Sequence, residues 1–134
     1  MRRLLEYILA AGVGPMSFLA PLWWRHNVRT YHAPVSSTMA TAVENFHFDG
    51  LLVLLCLSFL LGLMTRRAAP YKLGLVTMAF FPALTLVEMI IDSRSHNLFP
   101  VELVVYAGLG VLAGACIHLA RKAKEENIKR DITD

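Results

Sequence analysis

Four long apolar segments dominate this chain of 134 residues and limit the folds that are open to it. The hydrocarbon core of a bilayer is about 30 Å thick, so a helix that crosses it needs about 20 mostly apolar residues. Segments close to that length lie at about residues 4–24, 46–64, 73–91 and 101–120. A soluble protein would instead distribute its apolar residues with the period of a helix or a strand. The sequence therefore predicts one all-α domain over residues 1–134, a polytopic membrane protein with four transmembrane helices.

The basic residues are distributed unevenly around these segments. Ten of the 13 lysines and arginines precede the first segment, lie between the second and the third, or follow the fourth: Arg2, Arg3, Arg66, Arg67, Lys72, Arg121, Lys122, Lys124, Lys129 and Arg130. Cytoplasmic loops of membrane proteins carry an excess of lysine and arginine. The pattern therefore predicts that both termini, the loop at about residues 65–72 and a charged tail at residues 121–134 face the cytoplasm. It explains the net charge of +3 without nucleic acid as a partner, and the small size favours the bacterial inner membrane.

Five of the ten acidic side chains and four of the five histidines collect on the opposite, outer side of this predicted topology. They are the five carboxylates Glu44, Asp49, Glu88, Asp92 and Glu102 and the four histidines His26, His32, His47 and His96. Glu88 lies inside an apolar run, about one helical turn from the predicted membrane surface. An ionised carboxylate is costly there, so we expect Glu88 to face the bundle, pair with a base, bind a cation or take up a proton. The alternative is a structural role, in which the side chain extends to the interface or hydrogen-bonds another helix.

Two short motifs among these residues suggest a metal site. Glu44 and His47 are spaced E-x-x-H, so their side chains share one face if the segment is helical. Glu88 and Asp92 are four residues apart and share a face in the same way. Carboxylate and imidazole ligands suit Zn²⁺, Mn²⁺ or Fe²⁺, although di-metal bundles use two E-x-x-H motifs and this chain has one. The predicted ligands of a divalent metal ion are Glu44, His47, Glu88, Asp92, His96 and Glu102.

A second hypothesis uses the three arginines on the outer side. Guanidinium groups bind phosphate in a bidentate manner, which suits the polar headgroup of a membrane lipid. The predicted headgroup ligands are Arg25, Arg29 and Arg94. Beside such a headgroup, Glu88, Asp92 and His96 would suit general acid–base catalysis on a lipid-linked substrate. The sequence has no recognised catalytic motif and leaves open whether the chain is an enzyme.

A third feature concerns partners rather than chemistry. Gly110 and Gly114 form a GxxxG motif in the fourth segment, and such a face lets another helix approach closely. Packing within the chain is favoured, and a second copy of the chain or a partner in a membrane complex is the alternative. The corresponding function is that of a non-catalytic accessory subunit, in which the outer-side residues form interhelix hydrogen bonds. A weaker alternative is a small proton-coupled transporter that titrates Glu88.

Local signals also predict how the polar segment before the second span is organised. Ser36 and Ser37 are N-cap residues for a helix that begins near Ser37 and continues into the membrane, with Asp49-Gly50 as the candidate interruption. Pro82 predicts a kink in the third span. Glu6 is expected to reach the headgroup region or to pair with a basic residue at the N-terminus.

Overall fold

The computed structural model describes residues 1–32, 35–91 and 99–133, and all regular structure in these residues is helical. In chain order the elements are α1 (Arg2–Leu19), a 3₁₀ turn (Ala20–Trp23), α2 (Ser37–Glu44), α3 (Phe48–Met64), α4 (Pro70–Met78), α5 (Phe80–Ile91) and α6 (Phe99–Thr133). The prediction of an all-α chain is confirmed.

Several of these helices are long and apolar enough to cross a membrane. Three stretches qualify by length and composition, namely Arg2–Trp23, Pro70–Ile91 and Pro100–Asp131. Helices α2 and α3 qualify only when taken together, and they are bent by 102° relative to each other. The described residues therefore contain three candidate spans, or four if the bent pair counts as one.

The third candidate span is divided into α4 and α5 close to Pro82. Helix α4 ends at Met78, Ala79 forms a turn, and α5 begins at Phe80. Pro82 has no backbone N–H to donate to the carbonyl of Met78 four residues earlier, so the hydrogen-bond pattern of the helix is interrupted at that level. Helix α4 contacts α6 extensively, whereas α5 touches α6 much less.

Glycines allow the helices to approach each other closely. A Cβ atom on Gly74 of α4 would overlap the backbone of Gly110 and Gly114, and one on Gly14 of α1 would overlap the carbonyl of Thr77. A Cβ atom on Gly62 would lie 2.7 Å from the Ile117 carbonyl oxygen. The close approach predicted for the GxxxG motif is therefore found within the chain, with α4 as the partner. A partner outside the chain would need a different face.

The two ends of the bundle differ in charge. We call the end that carries Glu44, Asp49, Glu88 and Glu102 the acidic end, and the end that carries Arg66, Arg67, Arg121 and Lys124 the basic end. The core near the acidic end is aromatic. Phe18 stacks on Phe46 with ring centroids 4.0 Å apart, and Phe81 stacks on Tyr106 at 5.1 Å. Phe18 and Phe81 are themselves in contact at 4.2 Å, so the rings of α1, α5 and α6 form one stack.

The basic end is held by hydrogen bonds to backbone atoms. The Glu6 carboxylate accepts hydrogen bonds from the backbone N–H groups of Arg66, Arg67 and Ala68, the shortest being 2.8 Å to Ala68. The guanidinium of Arg121 donates to the Ala68 carbonyl at 2.7 Å and to Thr65 Oγ1 at 2.8 Å. Glu6 is thus bonded to the turn between α3 and α4, which differs from the N-terminal basic partner that its spacing suggested.

Candidate functional site at the acidic end

The acidic end begins where α1 stops and the chain turns back towards α3. Arg25 donates two hydrogen bonds to the Asp49 carboxylate, from Nε to Oδ2 at 2.8 Å and from Nη2 to Oδ1 at 2.6 Å. Its Nη1 donates to the Asn45 carbonyl at 3.1 Å. The indole of Trp24 also donates to Asp49. Asp49 lies in the first turn of α3, where a carboxylate interacts favourably with the helix dipole. Arg25, predicted to bind an anionic headgroup, is occupied by a carboxylate of its own chain.

The helix that was predicted to run from Ser37 into the membrane is broken after its first eight residues. Ser36 caps α2 as predicted, its hydroxyl accepting a hydrogen bond from the Met39 N–H at 3.3 Å. The helix ends at Glu44, and the Asn45 side chain donates to the Thr41 carbonyl at 2.7 Å and to the Arg29 carbonyl at 2.9 Å. The interruption falls at residues 45–47, ahead of the predicted Asp49-Gly50. An asparagine that bonds its own backbone competes with helix continuation.

This break separates the two residues of the E-x-x-H motif. Glu44 is the last residue of α2, and His47 is the N-cap of α3, beyond the 102° bend. Both side chains are exposed, and His47 Nδ1 lies 2.8 Å from the carbonyl oxygen of Phe46. The prediction that Glu44 and His47 share one helix face is therefore wrong. The E-x-x-H spacing places two side chains on one face only within a continuous helix, and the helix is not continuous between these two residues.

Glu88 is buried inside the bundle. It is 6% exposed and lies on the same face of α5 as the buried residues Phe81 and Thr85. These three positions are spaced four and three residues apart, which places them in one row along a helix. Burial within the bundle is what the cost of an ionisable side chain in lipid favours.

Tyr106 connects the elements that carry two of the predicted glutamates. It is buried, and it lies one turn after Glu102 on the same helix. Its ring stacks on Phe81, which shares one face of α5 with Glu88. The elements that carry Glu88 and Glu102 thus meet at one buried phenol. Tyr106 is not among the site residues that the sequence predicts, although its position four residues after Glu102 is a signal of proximity.

An apolar groove of about 300 Å³ opens beside this tyrosine. It is lined by Phe18, Val43, Phe46, Val101, Glu102, Val105, Tyr106 and Leu109. Its walls come from α1, α2, the break before α3, and α6. Val101 and Val105 line the groove and are 59% and 53% exposed, so the groove opens sideways on the outer surface of the bundle. The volume is at the lower limit of ligand pockets and suits part of a larger molecule.

The remaining predicted site residues are not brought together in the described part of the chain. Residues 1–32, 35–91 and 99–133 contain no group of three or more His, Cys, Asp and Glu side chains that could hold a metal ion. Arg29 is exposed near the loop and contributes a backbone carbonyl to Asn45. Asp92, Arg94 and His96 lie outside the described residues, so the predicted metal and catalytic sets stay predictions.

The comparisons with known proteins do not assign the chain to a group. No family model matches it, and no curated protein or solved structure matches it. Its function is therefore inferred from the groove and from Glu102 and Tyr106 in its wall.

Proposed function

We propose that this chain is an integral membrane protein that binds the amine-bearing headgroup of a lipid at its acidic end. The proposal includes four spans, with α2 and α3 forming the second, both termini in the cytoplasm and the bacterial inner membrane as the location. The observation that carries it is the sideways-opening apolar groove, with Glu102 and Tyr106 in its wall.

The shape of the groove favours a lipid over a soluble ligand. Its lining is mostly apolar, and its open side is formed by exposed valines of a helix that is long enough to cross the membrane. A ligand that enters from the bilayer would place an acyl chain against Val101, Val105 and Leu109. These contacts contribute dispersion energy. They add no hydrophobic driving force, because lipid tails are as apolar as the valines. The polar part of the lipid would then lie beside Glu102 and Tyr106.

The charge at the groove favours a cation over a phosphate. Glu102 lies in the groove wall, and Arg25 is held by Asp49 in a bidentate pair. A carboxylate forms its strongest hydrogen bonds with charged donors. A primary ammonium supplies a positive charge and up to three hydrogen-bond donors. Phosphoethanolamine, which carries its amine at the end of the headgroup, is the lipid headgroup of this kind that we propose.

Lipid retention tests the proposal. The detergent-purified chain would be exposed to phosphatidylethanolamine or phosphatidylglycerol, and bound lipid counted by native mass spectrometry. We expect preferential retention of phosphatidylethanolamine and about tenfold weaker retention in Glu102→Gln, because a charge-assisted hydrogen bond is lost. Glu126→Gln removes an equal charge from an exposed position on α6 and should retain the lipid as the wild type does. Equal retention by all three proteins would contradict the proposal.

The metal hypothesis is tested in the same preparation. Elemental analysis of the wild type, Glu88→Gln and His96→Ala would detect a bound Zn²⁺, Mn²⁺ or Fe²⁺. A stoichiometric metal that is lost in both variants would replace the lipid proposal with a metal site. Catalysis by Glu88, Asp92 and His96 stays a prediction in either case, because it needs residues outside the described part of the chain.

A further inference from the structure

A second cavity lies at the basic end, on the opposite side of the molecule from the groove. Its volume is about 180 Å³, and it is formed between the end of α3 and the extension of α6. Its polar lining is supplied by Thr65, Arg66, Arg121, Lys124 and Glu125, and Ile128 contributes an apolar side. Three cations thus face one carboxylate, which leaves the lining with a net positive charge.

The cations of this cavity are bonded to neutral acceptors. Lys124 donates to the Leu63 carbonyl at 2.6 Å, and Arg121 donates to the Ala68 carbonyl and to the Thr65 hydroxyl. The Lys124 bond satisfies a carbonyl group that the end of α3 leaves without a helical partner, and the Arg121 bonds satisfy acceptors in the turn that follows. They do not neutralise the charges. The nearby Glu6 carboxylate attracts the Arg121 guanidinium electrostatically. It accepts its hydrogen bonds, however, from the backbone N–H groups of residues 66–68.

Both cations keep donors for a further acceptor. An arginine has five N–H donors and a lysine three, of which Arg121 uses two and Lys124 one in the contacts above. Arg121 Nε is buried and has no hydrogen-bond partner within the described residues. A buried N–H without an acceptor is unfavourable. The cavity thus combines spare positive charge with spare donors, which is the chemistry that recognises a phosphate.

The position of the cavity along the bundle favours a lipid as the source of that phosphate. The apolar part of α6 ends at Ala120, directly before Arg121, and α3 ends at Met64, directly before Thr65. The cavity therefore lies where the spans leave the hydrocarbon, at the level of the lipid phosphates. Basic pockets between transmembrane helices at this level bind the headgroups of anionic lipids. Ile128 offers the lipid an apolar contact at the rim.

We infer that this cavity binds the phosphate group of an anionic phospholipid between Arg66, Arg121 and Lys124. The inference uses the membrane-spanning part of the proposed function and is independent of the acidic groove. A lipid held there would also bridge the end of α3 to α6, next to the turn that Glu6 holds.

Two lysines two residues apart on α6 provide a matched test, because this spacing puts them on different faces of the helix. Lys124 lines the cavity, whereas Lys122 is 66% exposed in its side chain and lies 4.0 Å from Glu126. Retention of phosphatidylglycerol by the detergent-purified chain would be measured by native mass spectrometry. We expect about fivefold weaker retention in Lys124→Gln and no change in Lys122→Gln, because only the former removes a charge from the cavity. Retention of phosphatidylethanolamine should be the same in both.

Further arms make the test decisive. If Lys124→Gln folds poorly, Arg66→Gln removes a cavity charge from the flexible end of an exposed side chain and should weaken retention by a similar factor. Equal losses in Lys122→Gln and Lys124→Gln would overturn the site in favour of general surface attraction. Displacement of the lipid by millimolar inorganic phosphate would overturn the lipid as the occupant. A failure of the groove experiment with phosphatidylethanolamine would leave these results unaffected.

Discussion

At the basic end charged side chains bind backbone groups around a single turn, whereas the contacts at the acidic end are of several kinds. Glu6 binds three successive N–H groups of the α3–α4 turn, and Arg121 and Lys124 bind carbonyl groups next to it. At the acidic end, the described contacts include the Arg25–Asp49 ion pair, a stack of rings, and bonds from Arg25 and Asn45 to backbone carbonyls. We expect the acidic end to be the less firmly joined of the two. A groove of about 300 Å³ is found at the acidic end.

Glycine packing extends the tight arrangement of the basic end into the membrane. If this arrangement carries most of the stability, Gly74→Ala should have the largest effect of the changes considered, because the new Cβ would overlap the backbone of α6. We expect a loss of about 3 kcal/mol in the free energy of unfolding. The measurement is the unfolding midpoint in mixed micelles of detergent and dodecyl sulfate.

Gly108→Ala is the matched control for this prediction. Gly108 lies on the same helix as Gly110 and Gly114, and a Cβ atom there meets nothing within 4 Å. An alanine should therefore be neutral or slightly stabilising, by up to about 1 kcal/mol, since glycine is the poorer helix former. Similar losses in both variants would show that the close contact between α4 and α6 is not what holds the bundle.

The helical part of this fold could be predicted, because it depends on local properties. The lengths of the apolar segments indicate helices, and the serine at position 36 caps α2 as its residue type suggests. The close approach at Gly110 and Gly114 was also readable from the motif. Its partner was not, because either an in-chain helix or a second copy satisfies the same small-residue face. Only the placement of Gly74 opposite the motif decides between them.

The candidate site was predicted less well, because it depends on tertiary arrangement. Glu88 could be singled out since an acid in an apolar run has to be compensated. The E-x-x-H interpretation failed at Asn45, whose side chain bonds to backbone carbonyls and ends α2. Tyr106 was missed because a tyrosine in an apolar helix is usually part of the core. Its place beside Glu102 in the groove wall follows only from the packing of α1, α2 and α6.

The contact of Glu6 provides the second prediction about the basic end. Glu6→Ala removes the acceptor of the backbone N–H groups of Arg66, Arg67 and Ala68. We expect the free energy of unfolding to fall by about 2 kcal/mol, with the partly exposed groups at 66 and 67 recovering some of their bonds from water. Glu6→Gln keeps one acceptor oxygen, so its free energy of unfolding should lie between those of the wild type and Glu6→Ala. The same unfolding midpoint measures it.

Glu126→Ala serves as the surface control for this change. Its side chain is 55% exposed, and its ion pair with Lys122 is long at 4.0 Å. Its effect should stay within about 0.5 kcal/mol. A loss for Glu6→Ala no larger than this would mean that the turn between α3 and α4 holds its shape without the carboxylate. The contrast between the two ends would then lose its main support.

The ion pair between Arg25 and Asp49 gives the smallest expected effect and tests the acidic end. The two side chains are 23% and 27% exposed, so solvent screens their attraction only in part. A double-mutant cycle with Arg25→Gln and Asp49→Asn should yield a coupling energy of about 1 kcal/mol, near the upper limit for pairs that water can reach. If the coupling exceeded the loss in Glu6→Ala, the acidic end would be the more firmly joined of the two. The groove beside Tyr106 would then be a consequence of local side-chain shape, since looser joining of the helices could no longer explain it.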